Sequence, residues 1–89
     1  MKVGICGLGL IGGSMAKAYS EGGHEVLGFD TNSASLGYAM LSGIISSELN
    51  SDTIQECDLI FIALYPLVGI IVIALIIIKP NIKLIVLRL

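Results

Sequence analysis

Short apolar runs alternate with segments of helical periodicity along the first third of the chain. Lys2–Cys6 (KVGIC) is an apolar run that ends at a glycine, which is typical of a buried strand in a parallel sheet. From Ile11 onward, apolar side chains recur at helical spacing until Gly22 ends the pattern, which predicts a helix. Residues 24 to 30 (HEVLGFD) predict a second strand, so the region forms a strand, helix, strand unit.

The middle of the chain predicts a second helix and a short helical turn. Thr31 or Asn32 is suited to cap the second helix, which is expected to extend through Ser42. Residues 46 to 53 (SSELNSDT) are polar and predict a connector. Asp52 and Gln55, spaced as in a capping box, predict a single helical turn after it.

Uncharged residues dominate the last third of the chain. Residues 58 to 64 (DLIFIAL) predict a central strand, and residues 82 to 87 (IKLIVL) a last strand. Between them, residues 67 to 78 are apolar on every side, and a crossover helix is the expected filler. The 20 uncharged residues from 59 to 78 are also long enough to cross a bilayer, but Pro66 interrupts them and favours the strand and turn.

The order of these elements predicts an α/β fold with a parallel sheet and flanking helices, and it places a glycine-rich turn between the first strand and the first helix. Gly7, Gly9 and Gly12 have the GxGxxG spacing of a Rossmann-type dinucleotide site. In such a site the first glycine allows the tight turn, the second lets the backbone approach a pyrophosphate, and the third lets the helix pack closely on the sheet. The free N–H groups at the start of the helix, from Leu10 to Gly13, are then expected to face the phosphates.

Asp30 ends the second predicted strand 18 residues after Gly12, where a carboxylate can accept hydrogen bonds from the adenosine ribose. Its charge would repel a 2′-phosphate, which favours NAD over NADP. The competing interpretation makes Asp30 a strand-end residue with a capping role and the glycines a structural turn.

The sequence also predicts where residues 63 to 66 and His24 lie relative to this site. Ala63, Leu64, Tyr65 and Pro66 follow the predicted central strand at its carboxyl end, and we expect them to line the cofactor cleft. His24 is expected at the opposite end of the sheet and solvated.

Charge and cysteine content indicate which partners to exclude and which cellular compartment to expect. Five basic residues against seven acidic ones give a net charge of −2, with no basic stripe, so nucleic acid is not expected as a partner. Cys6 and Cys57 lie within apolar runs and not at metal-ligand spacing, which predicts buried reduced thiols and a cytoplasmic protein.

Three stretches, GLGLIGGSMAKAY (residues 7 to 19), GHEVLGFD (23 to 30) and CDLIFIALYP (57 to 66), resemble the amino-terminal cofactor domain of prephenate and arogenate dehydrogenases. The continuation Leu-Ile-Gly-Gly-Ser at residues 10 to 14 is the specific part of the likeness. The resemblance implies NAD-dependent oxidative decarboxylation of prephenate, or of arogenate, in tyrosine biosynthesis by a homodimeric enzyme. It implies that the pyrophosphate is surrounded by Gly7, Gly9, Leu10, Ile11 and Gly12, that Asp30 holds the ribose, and that residues 63 to 66 form the cleft wall.

The resemblance also implies what these 89 residues lack. The family's catalytic serine and the histidine of its Thr-His-Pro stretch have no counterpart here, and the helical dimerisation domain is missing. We therefore expect residues 1 to 89 to be a truncated dinucleotide-binding domain without catalytic residues. Two alternatives stay open: another NAD-dependent dehydrogenase, such as one acting on β-hydroxy acids, and a non-catalytic nucleotide-binding or membrane-associated module.

Overall fold

A computed structural model describes residues 1–63 and 83–86. Its elements, in chain order, are β1 (Lys2–Cys6), α1 (Leu10–Glu21), β2 (Glu25–Phe29), α2 (Ser33–Leu41), β3 (Ser47–Glu48), a 3₁₀ turn (Thr53–Glu56), β4 (Leu59–Ile62) and β5 (Lys83–Val86). The predicted strands and helices within these residues are confirmed. The cleft residues Leu64, Tyr65 and Pro66, and the crossover helix expected at residues 67 to 78, lie outside the described residues.

The described strands form one parallel sheet in the order β3-β2-β1-β4-β5. This order places β1 in the centre, with the chain moving outward through β2 to β3 and then crossing back to β4. The reversal beside β1 creates a crevice at the carboxyl edge of the sheet, which is where open α/β sheets bind ligands.

Alternating side chains of the strands feed two apolar clusters, one on each face of the sheet. On one face, Val3, Ile5 and Phe61 pack with Ala16 of α1 and Ala39 of α2. The other face carries a second cluster of buried apolar residues: Cys6, Leu27, Leu49, Ile54, Cys57, Ile60 and Ile62. Because both faces of β1 and β4 are buried, their sequences are apolar throughout and show no alternation.

Two expectations about the polar middle region need correction. The connector contains β3, a two-residue edge strand that pairs with Leu27 and Gly28, and its polar composition hid it. The 3₁₀ turn is present, but the side chain of Asp52 makes no cap hydrogen bond. Asn50 does so instead, because its Oδ1 accepts the N–H groups of Asp52 and Thr53, both at 2.9 Å.

The long uncharged run begins as part of the sheet. Its first residues, Leu59–Ile62, form β4, which pairs with β1 on one side and β5 on the other. Within residues 1–63 and 83–86, no helix has the length and apolar character needed to cross a membrane.

Candidate cofactor-binding site

The register of three strands brings the sequence-predicted residues to one edge of the sheet. Cys6, the last residue of β1, lies opposite Phe29 of β2 and Ile62 of β4. The residues that follow these strand ends are Gly7, Asp30 and Ala63, and they therefore lie side by side. Backbone hydrogen bonds continue past the strands: the Gly7 N–H donates to Phe29 O at 2.7 Å, and the Ala63 N–H donates to Cys6 O at 2.8 Å.

The three glycines of the turn differ in whether the fold requires glycine at that position. Gly7 has φ of +97°, a left-handed conformation that other residues rarely adopt. A Cβ on Gly12 would overlap the carbonyl oxygen of Gly7, so α1 can pack this closely only with glycine there. Gly9 differs from both, because a Cβ on it would meet no atom within 4 Å and its φ is −72°. The described residues therefore give no packing reason for glycine at position 9, whereas a ligand lying against the backbone would.

The first turn of α1 presents unpaired donors at the same edge. Gly9 occupies the N-cap position and has no side chain to cap the helix, and the first helical bond runs from the Gly13 N–H to Gly9 O at 2.7 Å. The N–H groups of Leu10, Ile11 and Gly12 have no acceptor among residues 1–63 and 83–86. With the positive end of the helix dipole behind them, these N–H groups form a site suited to a phosphate anion.

The carboxylate of Asp30 connects the glycine turn to the start of α2. Its Oδ2 accepts the N–H of Leu8 at 2.8 Å, and its Oδ1 accepts the N–H of Asn32 at 2.8 Å. An ionised carboxylate has about four lone-pair positions, so two remain for ribose hydroxyls. The contact with Leu8 was not anticipated from the sequence, because nothing in the spacing of residues 8 and 30 shows which N–H the carboxylate meets.

Two cavities adjoin the turn. The smaller, of about 230 Å³, is lined by Gly9, Leu10, Ile11, Gly12 and Ala63, all of which the sequence placed at the cofactor. The larger, of about 530 Å³, lies between α1 and α2 and also borders Gly9 and Leu10. Its other lining includes Ser14, Lys17, Ser35 and Tyr38, which sequence analysis did not select. Ser14 and Lys17 are three residues apart on α1, and Ser35 and Tyr38 are three residues apart on α2. Each pair therefore lies on one face of its helix, which is the sequence pattern that indicates this lining.

The histidine lies away from this edge of the sheet, and the two cysteines are buried. His24 is at the opposite edge of the sheet, as expected, but it is half-buried: its Nδ1 lies 3.1 Å from the amino group of Met1, and its ring packs edge-to-face on Tyr19. Cys6 and Cys57 are buried thiols that form no disulfide in the described part of the chain, as predicted. Burial, and secondarily the neighbouring Cys57, raises the pKa of the Cys6 thiol to about 12. In the described part of the chain, no group of three or more acidic, cysteine or histidine side chains is placed to hold a metal.

The strand order, the glycine turn and the unpaired donors of α1 together define a dinucleotide-binding domain of the Rossmann type. Residues 2–67 match the model of the family described as the NAD binding domain of 6-phosphogluconate dehydrogenase. Because this match covers most of the chain, the chain belongs to that family of NAD-binding domains, and NAD is its cofactor.

Solved structures agree with this assignment. Arogenate dehydrogenase from Synechocystis is 25% identical with a TM-score of 0.81, over 99% of this chain and 33% of that one. Prephenate dehydrogenase from A. aeolicus, solved with hydroxyphenyl propionate and NAD+, is 20% identical with a TM-score of 0.80, over 97% and 32%. An imine reductase from Streptomyces aurantiacus is 20% identical with a TM-score of 0.77, over 99% and 32%. No curated protein sequence matches the chain.

These neighbours confirm the resemblance to arogenate and prephenate dehydrogenases that residues 7 to 19 first indicated. The chain spans about one third of the length of the solved structures it matches. The comparisons therefore concern the cofactor-binding part of those enzymes.

Proposed function

We propose that this chain is the NAD-binding part of an oxidoreductase that acts on prephenate or arogenate in tyrosine biosynthesis. The observation that carries the proposal is the match to arogenate dehydrogenase over 99% of the chain at 25% identity. The Leu-Ile-Gly-Gly-Ser continuation of the glycine turn, at residues 10 to 14, supports it independently. In prephenate dehydrogenases the reaction is oxidative decarboxylation to 4-hydroxyphenylpyruvate, and NAD supplies the hydride acceptor.

The residues of the turn fit the pyrophosphate of this cofactor. The unpaired N–H groups of Leu10, Ile11 and Gly12 donate to the phosphate oxygens, and the bare backbone of Gly9 permits the close approach. Ala63 lines the smaller cavity together with these residues. Leu64, Tyr65 and Pro66 lie outside the described residues, and their place in the cleft wall stays a prediction from the sequence resemblance.

Asp30 and Asn32 favour NAD over NADP. The Asp30 carboxylate lies where the adenosine ribose binds in this fold, and its charge repels a 2′-phosphate. The start of α2 does not offer the N–H groups of Ala34 and Ser35 to a 2′-phosphate, because both already donate to Asn32 Oδ1, at 2.9 and 3.2 Å. We expect calorimetry on the 89-residue chain to give an affinity for NAD at least about tenfold higher than for NADP.

The proposal assigns the chemistry to residues outside this chain. The enzyme as a whole is proposed to be a cytoplasmic homodimer that takes a small-molecule substrate, and the two buried thiols, which form no disulfide in the described residues, are consistent with that compartment. The 89-residue chain should bind NAD in calorimetry but produce no NADH absorbance with prephenate or arogenate. A folded sample that fails to bind NAD at millimolar concentration would refute the proposal.

One observation favours a second candidate function. The matching family is described from 6-phosphogluconate dehydrogenase and not from a prephenate enzyme, which supports a dehydrogenase acting on β-hydroxy acids. Both candidates share the cofactor site, so NAD binding does not separate them. Turnover by the longer protein does: NADH formation with prephenate or arogenate supports the first function, and NADH formation only with β-hydroxy acids supports the second.

A further inference from the structure

The glycine turn is held to the end of β2 by two consecutive hydrogen bonds. The N–H of Gly7 donates to the backbone oxygen of Phe29 at 2.7 Å, and the N–H of Leu8 donates to Asp30 Oδ2 at 2.8 Å. The next backbone N–H groups with a function in the site are those of Leu10, Ile11 and Gly12, which have no acceptor in the described part of the chain. The carboxylate is therefore bonded to the turn two residues before the first of these donors.

Leu8 is also held by its side chain, which packs against the apolar cluster that contains Val3 and Ile5, but few contacts of the described residues fix the residues that follow it. Gly9 is exposed and has no side chain, and the side chain of Leu10 is 89% exposed. On the helix side, the first bond is from the Gly13 N–H to Gly9 O. The segment between Leu8 and Gly13 is thus held at one end by the packing of Leu8 and its bond to Asp30, and at the other end by α1.

We propose that Asp30 is a positioning residue for the glycine turn, in addition to facing the ribose: its bond to Leu8 holds the turn so that the α1 donors point at the pyrophosphate. This inference rests on the proposed NAD binding. It separates two roles of one carboxylate, since the lone pairs that hold Leu8 and Asn32 are not those available to ribose hydroxyls. Asp30 then contributes to phosphate binding without touching a phosphate.

Two ligands distinguish the ribose-binding role of Asp30 from its positioning role. NAD benefits from both roles, whereas an NAD analogue with a 2′,3′-dideoxy adenosine ribose has no hydroxyl to donate a hydrogen bond to Asp30. If the carboxylate acted only on the ribose, Asp30→Ala would leave affinity for the analogue unchanged. We expect instead that Asp30→Ala weakens the analogue about tenfold and NAD by more, as measured by calorimetry on the 89-residue chain.

Asn50→Ala is the matched control for a general loss of stability. It removes the acceptor of the Asp52 and Thr53 N–H groups, but it leaves the bond between Asp30 and Leu8 available. We expect this variant to bind the dideoxy analogue within about twofold of the unchanged chain. Equal weakening by Asn50→Ala and Asp30→Ala would overturn the positioning role.

Amide hydrogen exchange of the ligand-free chain, followed by NMR, tests the same bond without any cofactor. We expect the Leu8 amide to be protected in the unchanged chain and to exchange at least about tenfold faster in Asp30→Ala, where its acceptor is gone. Asp30→Asn has one acceptor oxygen for two N–H groups, so either Leu8 or Asn32 should lose protection. An unprotected Leu8 amide in the unchanged chain overturns the inference, even if NAD binds. Protection of Leu8 with no NAD binding would instead refute the proposed function.

Discussion

Alanine at position 9 tests the functional interpretation of the glycine turn most directly. A Cβ on Gly9 meets no atom within 4 Å, and the residue has φ of −72° and an extended conformation that alanine also adopts. Alanine is a poorer N-cap than glycine but reduces the entropy of the unfolded chain, and these effects oppose each other. We therefore expect Gly9→Ala to change the free energy of unfolding by less than about 1 kcal/mol.

The effect on NAD affinity should be much larger. In the proposed binding mode, the added methyl group would stand where the pyrophosphate approaches the N–H groups of Leu10, Ile11 and Gly12. Displacing the phosphate from even one of these donors loses a charge-assisted hydrogen bond of about 1.5 to 3 kcal/mol. This corresponds to a loss of roughly 10- to 150-fold in affinity, which calorimetry or competition with a fluorescent dinucleotide measures readily.

Two other glycines provide the controls. Gly37 lies within α2, and a Cβ there also meets nothing within 4 Å, so Gly37→Ala should stabilise the chain by roughly 0.5 to 1 kcal/mol without changing NAD affinity. Gly12→Ala forces a Cβ into the carbonyl of Gly7 and should destabilise the fold itself. If Gly9→Ala binds NAD as tightly as Gly37→Ala does, the pyrophosphate does not lie against residue 9 and the reasoning is refuted.

Three further predictions concern stability, measured by urea denaturation. Asn50→Ala should cost about 1 kcal/mol because two N–H groups lose their acceptor, whereas Asp52→Ala should cost less than about 0.5 kcal/mol; equal losses would contradict the assignment of the cap. Gly28→Ala places a Cβ 2.9 Å from Ile45 Cγ2 and should cost about 1 to 3 kcal/mol; an unchanged midpoint would show that Ile45 moves freely. Because the pKa of Cys6 is raised from 9.0 to about 12, the unfolded thiol ionises first as pH rises. The free energy of unfolding should therefore fall between about pH 9 and 12 by up to about 1.4 kcal/mol per unit, and Cys6→Ala should remove that part of the slope.

Strands and helices were predictable wherever burial left a clear pattern. β1 and β4 are buried on both faces, so each appears in the sequence as an uninterrupted apolar run, and α1 shows the helical period because one side faces the sheet. β3 was not predictable, because two polar residues at a sheet edge carry no periodicity. Spacing predicts the cap of the 3₁₀ turn at Asp52, but the side chain of Asn50, two residues earlier, accepts the N–H groups of Asp52 and Thr53 instead.

The site shows a different limit of sequence analysis. Spacing located Gly7, Gly9 and Gly12 correctly at the carboxyl edge, but it treated them as one motif. The structure separates them by what a Cβ would meet at each position. At Gly7 the positive φ would strain any other residue, at Gly9 a Cβ would enter open space, and at Gly12 it would overlap a carbonyl oxygen. Only the second lacks a folding reason among the described residues. Gly9 is therefore the position that tests the function of the motif. If the glycines serve only the fold, Gly9→Ala should leave NAD affinity unchanged; if Gly9 serves the cofactor, NAD affinity should fall.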